Sequence, residues 1–303
     1  MPEITGKKII VTGGAGFIGS NLVERLAKDN KVLVIDTLMS GSEGNLKEAM
    51  KTGNVTFKKD DARNISKHDF KADIIFHLGM YSSSPMYKEK PTRVAEVVEI
   101  MINVLEYSRT NGSKLVFAST SSIYNGLSAP HTEDLVPKVS DYYTEGRIYA
   151  ERLSQLYNNM YGTDIAAMRF FSVYGPHEEA KGGYANLVTQ FIWAVKKGEG
   201  PLIYGDGKQK RDFVFVTDVV EALTRAVSVK GFDVFNVGTG KNYDLNEMAE
   251  KVNLALGKNV RPRYIDMPVS NYVMETLADT RKSEAVLGFK AKVSLDEGIK
   301  MLV

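Results

Sequence analysis

Tyr143 and Arg147 stand four residues apart in Tyr143-Thr-Glu-Gly-Arg147, within a stretch whose apolar residues recur at helical spacing. Four residues are about one helical turn, so the phenol and the guanidinium share a face. A phenol with an ordinary pKa near ~10 acts as a base at neutral pH only where positive charge stabilises its phenolate, and an arginine keeps that charge throughout. Tyrosine and arginine one turn apart are more often a surface packing pair, so the rest of the chain must decide between the two readings. Gly13-Gly-Ala-Gly16-Phe17-Ile18-Gly19 follows a β-branched run and opens a helical pattern. Glycines at such a turn let the backbone approach a pyrophosphate, and the helix behind them aims its unpaired N–H groups at the anion. Asp36 ends the next apolar run, 17 residues after Gly19. That is near the ~20-residue spacing at which a carboxylate takes an adenosine ribose diol, and its charge repels a 2′-phosphate, so NAD is expected rather than NADP.

These groups need a scaffold that brings residues 13–36 and 143–147 to one place. Apolar runs at 8–12, 31–36, 55–58, 73–78, 114–119 and 165–171 predict strands, most of them too apolar to be half-exposed. Helical patterns at 17–28, 91–110 and 143–161 lie between them. This alternation predicts an α/β, doubly wound parallel sheet, a Rossmann fold, over residues 1–172. After about Tyr174 the elements shorten and glycines gather, as in Gly182-Gly183, Gly205-Asp-Gly207 and Gly238-Thr-Gly240. A smaller, mixed α/β substrate lobe over 173–303 is expected, with strands free to cross back. Helix 91–110 is apolar on more than one face, which suits a second subunit.

Composition removes several classes. The 303 residues carry 39 basic and 37 acidic side chains and no cysteine. Neither a nucleic-acid surface, a disulfide scaffold nor a thiolate metal site is expected. No apolar run reaches membrane-spanning length, so no membrane partner is expected. His68, His77, His131 and His177 are scattered without metal-ligand spacing, and metal is left empty. No Gly-x-Ser-x-Gly elbow or Walker motif occurs. Trp193, with Phe191 and Ile192, reads as core.

Thr12-Gly-Gly-Ala-Gly-Phe-Ile-Gly19 followed by Asp36 resembles the extended short-chain dehydrogenase/reductase family, above all its nucleotide-sugar epimerases and dehydratases. Asp61-Ala62-Arg63 is similar to that family's acidic turn at adenine, and His77-Leu78-Gly79 to its loop beside the cofactor. Segments 205–214, 216–218, 235–238 and 278–279 carry the resemblance to the end of the chain. It implies that Tyr143 is the base and that Arg147 stands where the family has lysine, keeping the charge with a bulkier head. Thr120 takes the family's Ser/Thr position, where a hydroxyl donates to a substrate oxygen and relays a proton. The same likeness assigns NAD to Gly13, Gly16, Phe17, Ile18, Gly19, Asp36, Asp61, Ala62, Leu78, Gly79, Tyr143 and Arg147. It assigns a nucleotide sugar to Thr120, Ser172, Asn186, Leu187 and Arg211.

Three departures matter. The family's dehydratases carry an acidic pair where Ser121-Ser122 stand here, so dehydration is disfavoured and epimerisation is expected. Its form would be 4-epimerisation of UDP-glucose and UDP-galactose through a 4-keto intermediate, by a cytoplasmic homodimer. Ser172 replaces the family's usual asparagine, and Val269 falls where a second diphosphate arginine is usual. Lys181, Lys210 and Arg263 are the neighbours able to compensate. Another nucleotide sugar, a reductase, or an NAD-binding sensor are the alternatives.

Overall fold

A computed structural model describes residues 4–138, 141–267 and 272–303. Strands β1 (Lys8–Thr12), β2 (Lys31–Asp36), β3 (Val55–Lys59), β4 (Ile74–His77), β5 (Lys114–Thr120) and β6 (Ile165–Phe170) agree with the six expected runs to within a residue at each end. They belong to one seven-stranded parallel sheet. Further along the chain, β7 (Ser172–Tyr174) pairs with β10 (Phe213–Phe215), β8 (Leu202–Tyr204) with β13 (Arg263–Ile265), and β9 (Lys210–Arg211) with β12 (Tyr243–Asp244). β11 (Phe232–Val237) joins the large sheet beside β6. The sheet order is β11-β6-β5-β4-β1-β2-β3, so strand order reverses between β1 and β4. Ligands of open α/β sheets bind at the carboxyl ends of strands at such a reversal.

Alternate residues of each strand enter opposite cores, as a period of two requires. Ile9, Val11, Val32 and Val34 pack with α1 (Phe17–Leu26), α2 (Lys47–Met50) and α7 (Val216–Ala226). Ile10, Leu33, Ile75 and Phe117 pack instead with α3 (Ser84–Glu89), α4 (Arg93–Asn111) and α5 (Tyr142–Tyr161). Burial on both faces explains why the strands read as continuous apolar runs. Gly112 and Gly162, both at positive φ, end α4 and α5.

A third core joins α6 (Leu187–Lys197), α8 (Leu245–Leu256) and α10 (Leu295–Lys300) to the short ladders. The boundary expected at residues 172 and 173 does not separate two contiguous bodies, because α7 and β11 return to the large sheet. Phe191 and Ile192 are core; Trp193, expected there too, is only half-buried, since it lies one step off the buried stripe of α6. No described helix is long and apolar enough to cross a membrane.

Candidate active site

A cleft of about 470 Å³ opens at the carboxyl ends of β1, β2, β4, β5 and β6. At its floor the β1–α1 turn meets the loop after β4, backbone against backbone. Gly13 has φ +68°, and a Cβ there would come within 2.6 Å of Gly79. A Cβ on Gly19 would lie 2.1 Å from the Gly13 carbonyl oxygen. No side chain caps α1 and no acid occupies its first turn, which leaves the helix's positive end to an anion in the cleft. Asp36, at the end of β2, accepts from the N–H groups of Ala15 (3.0 Å) and Leu38 (2.8 Å) while lining the cleft. Burial pushes its pKa up, against the lowering effect of those bonds. Asp61 accepts from the Arg63 backbone and guanidinium at 2.9–3.0 Å, which holds its carboxyl below the usual range despite partial burial. Behind this floor, His77 Nδ1 lies 2.6 Å from Thr12 Oγ1, and its Nε2 has no hydrogen-bond partner. Burial, reinforced by the nearby Arg147 charge, holds His77 down to about 3, so it is neutral at physiological pH.

The residues expected to react meet at the other wall. Thr120 ends β5, and its Oγ1 accepts from the Ser122 N–H at 3.1 Å, which leaves the hydroxyl proton for donation. Asp141 caps α5 by accepting from the N–H and hydroxyl of Thr144, both at 2.8 Å, and Ser84 donates to its second oxygen. Tyr143, in that capped first turn, lines the cleft and packs on Tyr87, with ring centroids 5.5 Å apart. Arg147, one turn on, lies 5.2 Å from the Tyr143 ring centroid. Its Nη2 donates to the Tyr81 carbonyl and its Nη1 to Met80 Sδ, both at 2.8 Å. The buried Nε has no partner. The guanidinium therefore ties the loop after β4 to the helix that carries the phenol, a role a lysine's single head would not reproduce.

A buried polar chain supports this wall. Ser119 donates to Glu151 at 2.5 Å; Glu151 takes a two-pronged bond from Arg169, at 3.0 and 2.7 Å. Arg169 also donates to the Tyr124 hydroxyl, which donates to Asn236 Oδ1 at 2.8 Å. Ser119 precedes Thr120, and Glu151 lies one turn past Arg147, so the chain fixes β5 against α5. Sequence reasoning passed over Glu151 and Arg169. Their only signal was charge inside otherwise apolar helix and strand patterns.

The remaining wall is gathered from distant segments. Ser82, Ser83, Ser84, Ser121, Ser122, Ser172, Lys181, Tyr184 and Asn186 all line the cleft, together with every cofactor residue named above. Asn186 also caps α6 by accepting from the Val188 N–H at 3.0 Å. Leu187 and Arg211 do not line it. Leu187 packs on the third core, where the period of α6 turns it. Arg211 donates to the carbonyls of Lys210 and Val273 and stacks over Tyr272. Of the three compensating cations, Lys181 reaches the cleft, whereas Lys210 and Arg263 are exposed elsewhere. Val269 lies outside the described residues. Among the described residues no cluster of His, Cys, Asp and Glu could hold a metal ion.

The family model described as NAD dependent epimerase/dehydratase family matches residues 9–238. The chain is 33% identical over 306 residues to UDP-glucose 4-epimerase of Mycolicibacterium smegmatis, with 98% of this chain and 97% of that one covered. It is 32% identical over 309 residues to UDP-glucuronate 4-epimerase of Thermodesulfobacterium geofontis, covering 97% and 94%. The fold superimposes on UDP-N-acetylglucosamine 4-epimerase from Methanobrevibacter ruminantium, solved with UDP-N-acetylmuramic acid, at a TM-score of 0.91 and 30% identity, covering 99% of both chains. These three names share a reaction position and differ in the sugar.

Proposed function

The chain belongs to the NAD-dependent epimerase/dehydratase family, and from that premise we propose that it is a nucleotide-sugar 4-epimerase, with UDP-glucose and UDP-galactose as its first candidate pair. The family's cofactor is NAD, and the Gly13–Gly19 turn, the uncapped α1 and the Asp36 carboxylate fit it. Bound there, NAD would supply a reversible hydride acceptor for C4 of the sugar. The protein's part is proton handling and orientation. Thr120 donates to the C4 oxygen, Tyr143 takes the hydroxyl proton and later gives it back, and Arg147 supplies positive charge beside the phenol. The observation that carries this reading is the meeting of Thr120, Tyr143 and Arg147 in the cleft that also holds the dinucleotide turn. With Ser121 and Ser122 beside Thr120, no acidic pair stands ready to eliminate water.

A UDP-uronic acid is the second reading. The buried Ser83 hydroxyl has no partner, and Ser82, Ser121, Ser122 and Ser172 line the same cleft. Such donors suit a carboxylate at C6 as well as a hydroxymethyl group. The enzyme would act as a homodimer in the cytoplasm. Support for the dimer comes from Ile102 on α4 and Tyr149, Leu156 and Met160 on α5, all exposed on adjacent helices. Incubation with UDP-galactose and NAD tests the reading: UDP-glucose should form without net NADH, and Tyr143→Phe should slow the conversion by a factor of about 10² to 10⁴ while NAD still binds.

A further inference from the structure

We infer that Lys181 binds a diphosphate, that of the dinucleotide, from the segment leading into α6. The inference rests on the NAD-dependent reading of the cleft and not on which sugar is used. The segment is registered directly on α1. Ser20 Oγ lies 2.9 Å from His177 Nδ1, Asn21 donates to the Pro176 carbonyl at 3.1 Å, and His177 Nε2 stands 3.8 Å from Glu24. Glu178 then turns fully inward and accepts from the Asn186 N–H at 2.8 Å and from the Thr189 hydroxyl. Between these anchors Lys181 Nζ lies 5.2 Å from the ring centroid of Phe17, the first residue of α1. The cation is thus held beside the uncapped helix end where the pyrophosphate belongs.

Its hydrogen bonding points the same way. One N–H of the ammonium reaches Glu178 at 3.2 Å, and the described residues offer the other two no acceptor. The other charged residues lining the cleft are Asp36, Asp60, Asp61 and Arg147. Both terminal nitrogens of Arg147 are engaged by Met80 and Tyr81. A doubly charged anion between the two walls therefore finds Lys181 as its available cation, at the helix end that already attracts it.

The test titrates NAD, adenosine and UDP into the full chain freed of cofactor, for wild type, Lys181→Met and Lys181→Arg. The methionine variant should bind NAD roughly ten to a hundred times more weakly, the scale of one hydrogen bond to a charged group. Adenosine, which lacks both phosphates, should bind as in wild type, and the arginine variant should recover most of the NAD affinity. Unchanged NAD affinity in Lys181→Met overturns the inference, as does an equal loss for adenosine, which would mark a general structural defect. A loss confined to UDP also overturns it, by moving the cation to the nucleotide sugar. If wild type ignores UDP while Lys181→Met still loses NAD, the nucleotide-sugar reading fails and the role of Lys181 stands.

Discussion

The two halves of the cleft are built by different rules. The cofactor half comes from one β-α-β unit and the loop after β4, where sheet order reverses. Its residues are forced by backbone geometry: Gly13 cannot carry a Cβ beside Gly79, and Gly19 cannot carry one beside Gly13. The opposite half, where the sugar is proposed to lie, is collected from residues 82–84, 120–122, 172, 184 and 186, which come from separate segments of the chain. There a side chain can be replaced and its work taken over by a neighbour from another segment. A cofactor shared by a whole family suits the first kind of site, and a variable sugar suits the second.

Substitutions at the junction of the two halves should show the largest effects. Tyr143→Phe takes away the proposed proton acceptor and should lower kcat by a factor of about 10² to 10⁴ with NAD affinity unchanged, measured by steady-state kinetics and NAD titration. Arg169→Met strands the buried Glu151 carboxylate and should cost about 3 kcal/mol or more in denaturant unfolding, whereas an exposed pair such as Lys51–Glu48 should cost almost nothing. In the cofactor half, Asp36→Ala should weaken NAD binding about tenfold and leave UDP binding unchanged. Loss of both affinities would remove the distinction between the halves.

Smaller effects sharpen the picture. The unfolded chain protonates a histidine near 6.5, whereas folded His77 refuses the proton until about 3. Its contribution to stability is therefore fully present above about pH 6.5 and is lost as pH falls from there toward 3, since the unfolded state binds the extra proton. His77→Asn should flatten that part of the stability-against-pH curve. Leu156→Glu, on the exposed face of α5, should yield monomers in sedimentation analysis and keep the fold by circular dichroism.

Much of the first half of the chain was legible because its signals are local. Six strands and three helices followed from apolar period, and the dinucleotide turn from glycine spacing followed by an acid. Arg211 and Leu187 show where that legibility ends. Arg211 sits in a two-residue strand and stacks over Tyr272, and Leu187 packs against the third core. The late motifs turn out to be structural: Asp212 accepts from Thr239, Gly240 and Ala278, and Asn236 donates to the carbonyls of His131 and Asp279. They fasten the chain's second half to the sheet, a job that spacing alone cannot tell from ligand binding. Glu151 and Arg169 were missed for a related reason, since a buried ion pair is a relation between a helix and a strand.

In the proposed reaction, Thr120, Tyr143 and Arg147 carry out 4-epimerisation on a nucleotide sugar with NAD retained. Proton NMR of the anomeric signals, with UDP-galactose, UDP-glucuronic acid and UDP-N-acetylglucosamine each incubated with protein and NAD, tests it most directly. At least one of these sugars should equilibrate with its C4 epimer without net NADH, and Tyr143→Phe should slow that exchange by a factor of about 10² to 10⁴. Stoichiometric NADH with a persistent oxidised sugar, or no conversion of any of the three by a protein that binds NAD, would contradict it.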